Sequence, residues 1–132
     1  MIAAIYSHLV SAAASALVVT TVRGFPRWAN PTMVPPLAAL EYTTLAPAGN
    51  RIGQKNARHA LGFRLYVFAD NEPDLGQMLD RVIALEQVIA VSTVAGRKVD
   101  IVLTDGQRYQ NQSGTQQEDH GFSFGVTAFY SE

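Results

Sequence analysis

The stretch LGFRLYVFADNEPDLGQMLDRVIALEQVI, Leu61 to Ile89, passes from a two-residue apolar period to a period of three and four. Leu61, Phe63, Leu65, Val67 and Ala69 fall on one face of an extended chain, which is the pattern of a strand. Asp70, Asn71, Glu72, Pro73 and Asp74 then supply a helix start. Short polar side chains there accept from unpaired helix N–H groups, proline is tolerated in the first turn, and acidic groups oppose the positive end of the helix dipole. Leu75, Met78, Leu79, Val82, Ile83 and Glu86 recur at helical spacing, so the apolar members line one side of a helix over about 73–90 that can press back on a sheet. The unit is scaffold, with no nucleophile, metal cluster or phosphate loop in it.

The 132 residues suffice for one domain with a packed core and are too few for two. An apolar fraction of 48% fits a folded chain, and a charged fraction of 16% leaves a surface poor in charge, which favours an oligomer. The net charge of −1 excludes a global electrostatic footprint for nucleic acid. Without cysteine there is no disulfide framework, no thiolate chemistry and no cysteine-based zinc site. The apolar segment Ile2–Val19 lacks a basic leader region and is interrupted by Tyr6, Ser7, His8, Ser11 and Ser15, so it reads as a helix and not as a signal or membrane span.

Outward from the central unit, Ile2, Ile5, Tyr6, Leu9, Val10, Ala13 and Leu17 predict an amphipathic helix over 2–17. The β-branched run Val18–Val22 predicts a short strand, and residues 24–36, with Gly24, Pro26, Pro31, Pro35 and Pro36 around Phe25 and Trp28, an extended arm. Leu37–Leu45 has strand composition. Residues 46–57 are expected to be a mobile loop, and the segment Arg51–His59 concentrates positive charge in Arg51, Lys55, Arg58 and His59. Beyond the second helix, Ala95-Gly96-Arg97 is a turn, Val99–Thr104 a strand and Asp105-Gly106 a turn. The polar run Gln107–Asp119 is expected to be a mobile loop that orders on contact, and Phe122–Tyr130 alternates as a last strand. The fold class is α+β, a mainly antiparallel sheet of about five strands covered by two helices, in the order α-β-β-β-α-β-β.

Candidate chemistry is sparse. His8, His59 and His120 include no pair at metal-ligand spacing, and Asp119 beside His120 lacks a nucleophile elbow. Neither Gly49–Gly53 nor Ser113–Thr115 carries a phosphate-loop pattern. Asp70, Glu72 and Asp74 are explained as helix capping. No enzyme activity, metal or cofactor is expected.

In size, element order and texture the chain resembles the tail terminator family of long-tailed, lambda-like bacteriophages. The resemblance lies in the first helix IAAIYSHLVSAAASAL, the proline-marked strand PPLAALEYTTL, the unit RLYVFADNEPDLGQMLDRVIAL and the aromatic strand GFSFGVTAFY. It implies a homo-oligomeric ring of about six copies at the head-proximal end of the phage tail, assembled in the host cytoplasm. Such a ring caps the tail tube protein, stops polymerisation, and joins a head-tail connector or neck protein while genomic DNA passes its lumen without specific binding; no membrane is involved. On this reading Arg51, Lys55, Arg58, Arg108 and Tyr109 meet neighbouring rings, and Phe25 and Trp28 of the arm pack on an adjacent subunit. Other tail or neck components, such as a tail-completion protein or tube subunit, stay open, as does a small ligand-binding domain or enzyme with a pocket between the second helix and the sheet.

Overall fold

A computed structural model describes residues 1–48 and 58–131. Its elements are α1 (Ile2–Leu17), β1 (Thr20–Arg23), β2 (Leu37–Ala46), β3 (His59–Phe68), α2 (Glu72–Ile89), β4 (Val91–Val94), β5 (Arg97–Leu103), β6 (Gln107–Arg108), a 3-10 turn (Gln116–Glu118) and β7 (Gly121–Tyr130). They build one sheet in the order β1-β2-β3-β7-β5-β4, with β6 added beside β7. Only β1 and β2 pair in parallel among the described strands. The fold is α+β with the order expected from the sequence, enlarged by the two short strands β4 and β6.

The stretch that decides the fold supplies the middle of the sheet. β3 pairs along its whole length with β7, from His59 opposite Tyr130 to Phe68 opposite Gly121. Leu61, Phe63, Leu65, Val67 and Ala69 all join the main core, as their alternation predicts. Asn71 is the residue that caps α2: its Oδ1 accepts the backbone N–H of Asp74 at 2.9 Å.

Both helices cover the same face of the sheet. α1 buries Ile5, Leu9, Ala13 and Leu17 at a strict four-residue spacing, with Tyr6 beside them. α2 buries Leu75, Met78, Val82, Leu85 and Ile89. This corrects the expected stripe, which included Ile83. Alternating steps of three and four keep the five buried positions on one line, whereas Ile83 follows Val82 by a full 100° turn and is 59% exposed.

The run Val18–Val22 also divides differently from its composition. Val18 closes α1 in the left-handed region at φ 55°, donating to the Ala14 carbonyl, so that β1 starts only at Thr20. Tyr6 ties the three elements together: its hydroxyl donates to the Leu40 carbonyl and accepts the Gly24 N–H at 3.0 Å. β4 has no signature of its own in the sequence, because its four residues follow α2 after Ala90 alone and extend its apolar run. It is joined to β5 by a two-residue turn in which Ala95 and Gly96 have φ 51° and 77°, the primed geometry that matches strand twist.

Candidate functional site

The face of the sheet turned away from the helices is not left bare. Tyr66 and Phe68 alternate with the core residues of β3 and therefore project to that second face, where they form a separate buried cluster with Ala39. Two segments fold onto them from opposite sides. The proline-rich arm brings Phe25 and Trp28, whose rings meet Tyr66 and Phe68 edge-on, each with centroids 5.1 Å apart. The polar run brings Tyr109, 5.5 Å from Phe68 and 5.8 Å from Phe25. Gly121, opposite Phe68, leaves room for this packing, because a Cβ there would lie 2.7 Å from the Phe68 ring.

Acidic groups border these rings. The Tyr66 hydroxyl donates to Glu41 Oε1 at 2.5 Å, and burial together with that neighbour raises the Tyr66 pKa. Glu118 is 1% exposed; its Oε2 accepts from the Ser113 hydroxyl, and its carboxyl also lies within reach of the Tyr109 hydroxyl. Burial, with the Glu118 carboxylate next to it, pushes the Tyr109 pKa up to about 12. Phe25, Glu41, Tyr66, Tyr109, Ser113 and Glu118 line an open cleft of about 450 Å³. Three aromatic rings and two carboxyl groups around one cleft can take up a positive charge, which is drawn both to ring faces and to the carboxyl oxygens.

Composition alone did not disclose this place for Gln107–Asp119. Gln107 and Arg108 pair with Ser123 and Phe122 of β7, Tyr109 donates its N–H to the Gly121 carbonyl at 2.9 Å, and a 3-10 turn sinks Glu118. The signal available in the sequence was the single Tyr109 in an otherwise polar run. Phe25 and Trp28, expected against an adjacent subunit, pack on the chain's own sheet while each keeps part of its surface exposed.

The remaining expected contact residues lie elsewhere. Arg51 and Lys55 fall outside the described residues. Arg58 pairs with Asp100, and its guanidinium sits 5.5 Å over the Phe129 ring. With Arg97, Lys98 and Ser131 they line a second cavity, of about 610 Å³, at the Tyr130 end of β7. Arg108 pairs with Glu72, which His120 Nδ1 also meets at 2.9 Å. The Arg108 guanidinium, then His120, hold the Glu72 carboxyl down at about 2. His120 thus turns to Glu72, and its chain neighbour Asp119 accepts instead from Asn111 Nδ2 at 2.8 Å. Between α2 and the sheet runs a mainly apolar groove of about 400 Å³ lined by Val82, Ile83, Leu103 and Phe124. Among the described residues no three His, Cys, Asp or Glu side chains converge as a metal site, and no helix is long and apolar enough to cross a membrane.

No family model matches the chain. No curated protein matches it. Among solved structures, a chain from the virion of a native gene transfer agent particle has a similar fold, with a TM-score of 0.56 and 12% sequence identity. The likeness covers 97% of this chain and 90% of that one.

Proposed function

We propose that this chain is a structural protein of a phage-like particle and serves as its tail terminator. Copies close into a ring, of about six on the family resemblance, that sits on the last ring of the tail tube, halts its growth and offers the opposite face to a head-tail connector. The observation that carries the particle-protein part of this reading is the likeness of nearly the whole chain to a virion chain of a gene transfer agent, and the terminator role is drawn from the family resemblance.

The surface supports assembly in kind. A closed ring of identical copies needs two unlike, complementary side surfaces. This fold carries an aromatic and acidic cleft and, at the far end of β7, a basic corner. Its sheet also ends in two four-residue edge strands, β1 and β4, which are open to pairing or cover by a neighbour. A net charge of −1 suits a lumen that lets DNA slide. In this arrangement Arg108 and Tyr109 face neighbouring rings, Arg58 stands at the basic corner, and Phe25 and Trp28 present their remaining exposed surface to the adjacent subunit. No catalytic role is assigned to any residue.

The test is the absolute mass of the purified protein across concentration, by native mass spectrometry, alone and with isolated tail tubes. A closed species of about six copies, free or formed on tubes, is the expected result. Open-ended filaments would identify a tube subunit, and a monomer that ignores tubes would overturn the assembly reading.

A further inference from the structure

We infer that the apolar ridge of Tyr42 and Leu45 on one copy seats in the groove between α2 and the sheet of the next copy. The inference rests on the ring reading and names a contact between neighbours that the reading requires.

The groove is a concave apolar surface left open to water. Leu79 and Ile83 of α2 and Leu103 of β5 line it together with Phe122 and Phe124 of β7. Ile83 stands largely exposed on its wall, and the two phenylalanines are only partly buried. Covering such a surface removes apolar area from water, which favours association. The charged side chains that line the groove, Glu86 and Asp105, are both acidic.

The chain carries a matching protrusion. β1 pairs with β2 only from Leu37 to Leu40, so among the described strands Tyr42–Ala46 runs on with none on its outer side. Tyr42 and Leu45 oppose Phe63 and Leu61 of β3, which are core residues, and therefore stand on the face of the sheet that the helices cover. Both nevertheless remain about half exposed, at 48% and 49%. Charge agrees with shape: the sequence from Tyr42 to His59 carries Arg51, Lys55 and Arg58 and no acidic residue, the opposite sign to the groove.

Distance makes the contact intermolecular. Through the register of β2, β3 and β7, Leu45 lies level with Leu61 and Ala128, whereas the groove reaches Phe122, near the other end of β7. The six residues of extended chain between Ala128 and Phe122 span about 20 Å, so the ridge cannot fill the groove of its own copy. A protrusion and a complementary groove at different places on one molecule define a head-to-tail contact between unlike surfaces, the type that generates rings.

The chain has no cysteine, so a pair can be introduced to report the contact directly. Leu45→Cys with Ile83→Cys, mildly oxidised, is expected to give a ladder of disulfide-linked multimers on a non-reducing denaturing gel. Leu45→Cys with Ser15→Cys, whose second site is exposed on α1, is the control and is expected to stay unlinked. In parallel, native masses are compared for the wild type and Leu45→Glu, which sets a carboxylate against the acidic groove and is expected to need at least about tenfold more protein to close. All substituted positions are exposed, and circular dichroism checks the fold of each variant. A wild type that closes while the pair links no more than the control, or while Leu45→Glu closes equally well, overturns this contact and leaves the ring standing. A wild type that closes neither alone nor on tail tubes overturns the ring and this contact with it.

Discussion

Arg81 of α2 donates from Nη1 to the carbonyl oxygen of Leu17 at 3.0 Å, across 64 residues of sequence. α1 has no basic residue in its last turn, so the cation that a helix C-terminus favours is supplied by the other helix. One side chain thereby caps α1 and fixes the approach of the two helices that cover the sheet.

Arg81→Ala is accordingly expected to lower stability by about 1.5–3 kcal/mol, the range of a hydrogen bond to a charged group. Urea denaturation measures it. A loss within error of zero would mean that water caps α1 equally well.

Val18→Gly is expected to raise stability by about 0.5–1 kcal/mol. Val18 is 72% exposed and sits at φ 55°, so it gives up little packing and sheds the clash of a β-branched side chain in the left-handed region. The thermal midpoint should rise by a few degrees; a fall would show that the Val18 side chain is packed against something.

Acid should weaken the fold in part through Glu72. Its folded pKa of about 2 lies below the ordinary value of 4.5, so the pairing with Arg108 and His120 contributes fully above pH 4.5 and is lost as pH falls toward 2. Glu72→Gln should therefore flatten the dependence of stability on pH in that window and leave it unaltered above it. An unchanged acid limb in the variant would exclude this group as its source.

The second face of the sheet contributes to the fold as well as to the cleft. Phe68 is fully buried, and Phe68→Ala should cost about 3–5 kcal/mol, with a smaller loss for the partly exposed Phe25→Ala. Equal losses at the two positions would mean that the arm and the sheet melt as one unit.

The kinds of element and most of their inward faces are legible in short-range patterns of the chain. The alternation of Leu61 to Ala69, the four-residue spacing from Ile5 to Leu17 and the capping group at Asn71 all act within a few residues, and each holds in the structure. The α+β class and the order of its principal elements follow from them. The second buried face and the cleft rest on contacts between residues far apart in the chain. Whether Tyr66 and Phe68 face water or protein depends on Phe25 and Trp28, some forty residues earlier, and on Tyr109, some forty later. Glu118 belongs to a run whose average polarity predicts exposure, yet it is buried because β6 and Tyr109 draw that run onto β7. Local periodicity carries no record of such pairings, and the cleft with its buried carboxyl group exists only once two distant segments have folded over the same face of the sheet.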